Sequence, residues 1–315
     1  MHRLRFQPDE WMYHMVTTRC LQGFSFLKPL PEINRLIAGC LGRALERLSG
    51  GVRLHHYVFL SNHYHLIVSA ESQEALSSFM GHLNGTLGRE LARVHGFHGR
   101  IWHRRYASHL LLDEEALEGA YRYLFANSVK EDLVAHPGEW GGLHGHAQLC
   151  EGREVLGEWV DWTALYRARR RAAARKTPAP EPQVSDFTRQ VPLTVETPAV
   201  WAARDPDELR GAWRRWADEV AAAEAARRRA TGRRLLGMRR VLLEEVLVAR
   251  PLQNTPRPLC RASCPRRLAR FVEDYRVFVE GFRLASSRLR GEVSRSLRTP
   301  VVEFPRGGVP LGGGG

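Results

Sequence analysis

The chain has 315 residues, 43% of them hydrophobic, and a formal net charge of +13. That is enough apolar material for one large domain or two ordinary ones, and no run of 18 or more apolar residues offers a membrane span. The charge favours polyanionic partners, nucleic acid before an anionic membrane surface. The N-terminus, MHRLRFQPDEW, lacks the apolar stretch of a secretory signal, and the five scattered cysteines suit reduced thiols rather than a disulfide framework. Both point to a cytoplasmic protein. Cys260 and Cys264 lack the second ligand pair that a zinc site needs.

Residues 11 to 20, WMYHMVTTRC, read as a first strand, and the two prolines of FSFLKPLPE end it in a loop. From Glu32 to Leu48 the apolar positions Ile33, Leu36, Ile37, Leu41, Leu45 and Leu48 keep a helical spacing, which Gly50 and Gly51 stop. Residues 52 to 60, VRLHHYVFL, and 63 to 69, HYHLIVS, read as a hairpin turning at Ser61 and Asn62. A helix with the apolar stripe Leu76, Phe79, Met80, Leu83, Leu87, Leu91 and Val94 follows. Residues 101 to 112 are extended. Asp113 then caps a helix that carries YRYLFANSV, and a Pro-Gly turn at 137 and 138 closes the unit near residue 150.

The order β-α-β-β-α-β-α predicts an α+β layer of the ferredoxin-like kind: an antiparallel sheet with helices on one face. Beyond residue 150 the texture changes. Residues 151 to 200 read as a basic and Pro/Ala-rich linker around RARRRAAARKTPAPEPQ, and 201 to 315 as a helical basic extension. In that extension Asp205 and Pro206 start a long helix broken near Thr231 and Gly232, and a later helix spans about 266 to 290. The Gly-rich tail reads as disordered.

In SNHYHLIVS, residues 61 to 69, strand alternation places His63, His65 and Ile67 on one face and Tyr64, Leu66 and Val68 on the other. Two imidazoles two residues apart can converge on one cation, although such a pair alone is more often merely packed. On the helix after Asp113, Tyr123 and Asn127 are four apart and share a face, opposite the core-facing Leu117, Tyr121 and Leu124. Tyr123 therefore reads as an exposed phenol beside an amide. A phenol is a poor nucleophile until its target is polarised or its proton removed. A divalent cation on His63 and His65 would polarise a phosphodiester, and Asn127 could add an oxygen ligand. Trp102, Arg104, Arg105 and Tyr106 form a basic-aromatic cluster suited to a single strand, and Arg19 sits where it could meet backbone phosphate. No Gly-rich phosphate loop with a lysine is present, which argues against ATP use.

Three stretches in order carry a resemblance: YVFLSNHYHLIV (57 to 68), HGFHGRIWHRRYASHLLLDEE (95 to 115) and YRYLFANSVKEDLV (121 to 134). Together they resemble the IS200-like (Y1) transposases, most closely the REP-associated tyrosine transposases, within the HUH single-strand DNA endonucleases. The resemblance covers a little under half the chain. It departs at Leu60-Ser61, where the family usually has Met-Pro, and at Ser128, where it has proline.

The resemblance implies an HUH nuclease core over residues 1 to 150, with His63 and His65 as metal ligands and Tyr123 as nucleophile. It places a further polar ligand or positioning group at Asn127. The implied reaction is Mg²⁺- or Mn²⁺-dependent nicking and rejoining of single-stranded or hairpin DNA through a 5′-phosphotyrosine link. Such enzymes serve transposition and recombination, and both a homodimer and a single-chain site agree with the resemblance. The alternative is the same fold kept as a hairpin DNA or RNA binder without catalysis. A histidine-triad hydrolase would want a third alternating histidine where Ile67 stands.

Overall fold

The computed structural model describes residues 4–48, 50–175, 180–251 and 258–296, with side chains as far as 290. The Gly-rich tail and residues 176–179 of the expected linker lie outside the described residues. In chain order the regular elements are β1 (Met12–Arg19), α1 (Pro31–Arg47), β2 (Val52–Leu60), β3 (His63–Ala70), α2 (Gln73–Val94), β4 (Ala107–Leu111) and α3 (Glu114–Lys130). Then follow α4 (His146–Leu149), β5 (Leu156–Val160), α5 (Trp162–Ala173), β6 (Thr188–Pro192), α6 (Pro206–Thr231), α7 (Met238–Leu243), β7 (Cys260–Arg261) and α8 (Pro265–Ser296).

The α+β layer is present. Its sheet runs β2-β3-β1-β4-β7, antiparallel except for the short edge pair β4–β7. The β2–β3 hairpin turns at Ser61 and Asn62, as the sequence predicts. The helices do not share one face, however. Val16, Tyr57, Phe59, Tyr64, Leu66 and Val68 pack in one core with side chains of α1 and α2. Met15, Val58, Leu60, Ile67 and Leu111 pack in a second core with α3 and α6. Both faces of β2 and β3 carry buried apolar side chains, so both faces of the sheet need cover. The expectation of one covered face is corrected accordingly. The second face is the one that carries His63 and His65.

Caps set the ends of the site-bearing elements. Asp113 accepts from the Ala116 amide at the start of α3, 2.9 Å away. Its other oxygen accepts from the Ser263 and Cys264 amides just before α8, at 2.7 and 3.0 Å. Burial works against ionising Asp113, but these amides and the charge of Arg267 outweigh it and hold the carboxyl below the usual range. Asp205 accepts from the amides of Asp207 and Glu208 and caps α6, which ends at Gly232 in the left-handed conformation (φ 67°).

Residues Gln7–Ala269 form one compact unit. Within it, residues 151 to 200 include the antiparallel pair β5–β6. That ribbon lies against α1 so closely that a Cβ on Gly39 would stand 2.0 Å from the Glu158 carbonyl oxygen. Among the described residues, 4–6 and 270–296 belong to a second unit. There Phe6 packs on Phe271, Tyr275 and Phe278, its ring 4.9 Å from that of Phe278. No helix among the described residues is long and apolar enough to cross a membrane.

Candidate active site

Register brings the polar groups together. β1 pairs antiparallel with β3 so that Thr17 faces His65 and Arg19 faces His63. Directly paired residues share a face, so all four side chains project toward α3. The Thr17 hydroxyl lies 2.8 Å from His65 Nδ1, and Asn62 Oδ1 lies 2.7 Å from His63 Nδ1. A carbonyl oxygen can only accept, so Nδ1 of His63 carries the hydrogen and Nε2 presents its lone pair. With Thr17 accepting in the same way, Nε2 of His65 is likewise bare.

Both imidazoles stay neutral. Burial, and then the charges of Arg19 and Lys130, push His63 down to about 3. His65 lies well below its ordinary value through burial first, then the neighbouring His63, Lys130, Arg19 and His109. Neutral imidazole is the form that ligates a metal.

From the other side α3 presents Tyr123, Asn127 and Lys130, three residues on one face at helical spacing. The Tyr123 ring stands edge-on to His65, centroids 5.4 Å apart and planes at 90°, and the His63 and His65 rings are 5.1 Å apart. Lys130 Nζ sits 3.7 Å above the Tyr123 ring. With that cover Tyr123 is half-buried, not exposed as the helical pattern alone suggests. Asn127 is 1% exposed, and neither its oxygen nor its nitrogen has a hydrogen-bond partner. A buried amide left without partners is costly, and a ligand would explain it. Asn62, His63, Tyr123, Asn127, Lys130 and Arg19 line one cavity of about 380 Å³.

Among the described residues no group of three or more His, Cys, Asp and Glu converges as a metal site. What lies together is two imidazoles, rings 5.1 Å apart and each held at Nδ1, on the same side of the sheet as a buried amide without partners. That set fits a divalent cation which keeps water and substrate oxygens in its remaining positions.

The basic-aromatic cluster is dispersed. Tyr106 is 8% exposed and packs in the α1–α2 core, its hydroxyl 3.3 Å from Ser77, so no ring face is open to a base. The Trp102 indole donates to the Asn84 carbonyl at 2.8 Å and packs edge-on against Tyr64. Arg104 and Arg105 are exposed and do not line the cavity. Arg19 does line it. Tyr121 is fully buried among Trp201, Trp213 and Trp216, donates to the His55 carbonyl at 3.0 Å, and has its phenol pushed well above the ordinary value by burial.

Sequence reasoning missed Thr17, Lys130 and the residues Leu236, Val241, Glu244, Arg250 and Pro251, which also line the cavity. Lys130 was within reach, since it lies two turns beyond Tyr123 on the same face. Thr17 needed the β1–β3 register, and the distant segment carries no local signal.

No family model matches the chain, and no curated protein matches it. Solved structures similar to the chain include the following two. One is a REP-associated tyrosine transposase bound to a REP hairpin, 17% identical, aligned over 48% of this chain and 87% of that one with a TM-score of 0.41. The other is a putative transposase from Deinococcus radiodurans R1, also 17% identical, aligned over 39% of this chain and 95% of that one with a TM-score of 0.28.

Proposed function

We propose that the chain is a metal-dependent, transposase-like transesterase that nicks and rejoins single-stranded DNA, with Tyr123 as nucleophile. The observation that carries this reading is the meeting of Tyr123 with His65, rings perpendicular at 5.4 Å, at the edge of a cavity that Tyr123 lines together with His63 and Asn127. A divalent cation, Mg²⁺ or Mn²⁺, held by Nε2 of His63 and His65 with the Asn127 oxygen, would neutralise and polarise the scissile phosphate. The chain's own residues do the rest. Arg19 and Lys130 place positive charge on either side of the cavity and orient the phosphate. Tyr123 Oη bonds to phosphorus while the bond to the 3′-oxygen breaks, and that oxygen takes up a proton as the phenol gives one up. The products are a 5′-phosphotyrosine and a free 3′-hydroxyl, and the reverse step rejoins a strand without ATP. A cavity of about 380 Å³ receives a nucleotide and its phosphate, not a duplex, which supports a single-stranded substrate beside any hairpin.

The test is incubation of the full chain with hairpin DNA bearing a single-stranded flank, with Mn²⁺, followed by denaturing electrophoresis. A DNA-protein adduct is expected, and Tyr123→Phe should abolish it while the DNA is still bound. An adduct that survives the substitution removes Tyr123 from its role. Binding without any adduct from the wild-type chain supports the non-catalytic binder instead.

A further inference from the structure

The segment from Leu236 to Pro251 closes one side of the same cavity. It lies outside the stretches that carry the family resemblance, and it is fixed at both ends. At one end the Leu236 and Gly237 amides donate to the Asp132 and Leu133 carbonyls just beyond α3, at 2.8 and 3.1 Å. At the other, the Arg250 amide donates to the Gln22 carbonyl at 2.8 Å, and the Ser25 amide to the Val246 carbonyl at 2.8 Å. Between these ends Lys28 Nζ donates to the Glu244 carbonyl at 2.8 Å. The fit beside β1 is tight: Gly23 has φ 72°, and a Cβ there would stand 3.0 Å from Arg250 Cβ.

This placement delivers one cation and one anion to the cavity. Arg250 forms an ion pair with Glu244, and both line the wall, with side chains 38% and 30% exposed. A pair that open to solvent adds little to stability, so holding the fold together is a weak reason for it. A guanidinium, however, takes a carboxylate and a phosphate in the same forked geometry.

Building on the reading of this cavity as a DNA-cleaving site, we propose that Arg250 binds a phosphate of the single strand next to the scissile one. Glu244 occupies the guanidinium until that phosphate displaces it. With Arg19 and Lys130, which line the same cavity, Arg250 would fix the direction in which the strand leaves the site.

Anisotropy titrations of a labelled single-stranded DNA over a KCl series test this, using the full chain and its Arg250→Gln and Glu244→Gln variants. Each phosphate contact adds about 0.7 to the slope of log affinity against log salt for a single strand, so Arg250→Gln should bind more weakly with a slope shallower by about 0.7. A purely structural loss would lower the melting temperature and leave that slope alone. Glu244→Gln frees the guanidinium and should tighten binding several-fold. That variant decides the matter if Arg250→Gln folds poorly. Binding by the wild-type chain with an unchanged slope in Arg250→Gln, or with no tightening in Glu244→Gln, overturns the role of Arg250 alone. A wild-type chain that binds no single strand overturns the reading of the whole site.

Discussion

Thr17 and Asn62 hold the Nδ1 atoms of His65 and His63, and so decide which ring nitrogen each leaves for another partner. Partners of this kind typically change metal affinity about 10- to 100-fold when removed. Thr17→Val keeps the shape of the β-branched side chain and deletes the hydroxyl. Calorimetric titration with Mn²⁺ should show at least a tenfold loss of affinity, with a far-UV spectrum like the wild type. An unchanged affinity would mean that the hydroxyl does not orient the ring. The histidines were legible because alternation alone puts them on one face. Their supports were not, because Thr17 lies 48 residues from His65 and meets it only through strand register. Trp102 and Tyr106 misled for the opposite reason. Their types suit base stacking, but in this chain the same rings fill the core around Tyr64 and α2.

Among the elements, α3 and the ribbon β5–β6 show where pattern reading succeeds and stops. The capping Asp113, the acidic first turn and the apolar positions Leu117, Tyr121 and Leu124 are all local, so the start of α3 and the burial of those three followed from sequence. The ribbon was hidden in a stretch whose composition reads as linker. What docks it is the absence of side chains at Gly39 on α1 and Gly157 on β5, where a Cβ at either position would stand within about 2 Å of the opposite backbone. Two glycines far apart carry no periodic signal. Gly39→Ala forces these backbones apart and should cost about 3 kcal/mol, seen as a lower denaturant midpoint at unchanged m-value. If the midpoint holds, the contact is not tight in solution.

Over the whole molecule, buried histidines make the fold acid-sensitive. Burial, reinforced by His109, pushes His14 down to about 3, and burial with the nearby Arg53 pushes His55 to about 4 despite its bond to the Glu196 carbonyl. Burial and His146 bring His144 to about 3, and His56 lies well below its ordinary value through burial and the charges of His144 and His146. The folded values lie below the ordinary 6.5, so under pH 6.5 the unfolded chain binds more protons than the folded one. Stability is therefore complete above about pH 6.5 and falls as pH drops toward 3, by about 1.4 kcal/mol per unit for each group. Four such groups acting together reach the scale of a typical folding free energy within about one to two units. Thermal melts should decline steadily below pH 6.5, and the circular dichroism of the fold should be lost near pH 5. A melting temperature unchanged between pH 7.5 and 5 would contradict neutral burial of these rings. The bulk charge, by contrast, was legible from composition and has the sign that attracts polyanions.

The wall that Leu236 to Pro251 gives the cavity also puts the site on a clock. A ribosome adds about 5 to 20 residues each second, and 127 residues separate Tyr123 from Arg250. For about 6 to 25 s, therefore, every new copy has made His63, His65 and Tyr123 but not the wall of the cavity that Leu236 to Pro251 forms. Under the proposed function, translation would deliver the reactive groups first and the wall that holds Arg250 last. A message cut short between those points would yield a chain with an open site and no Arg250.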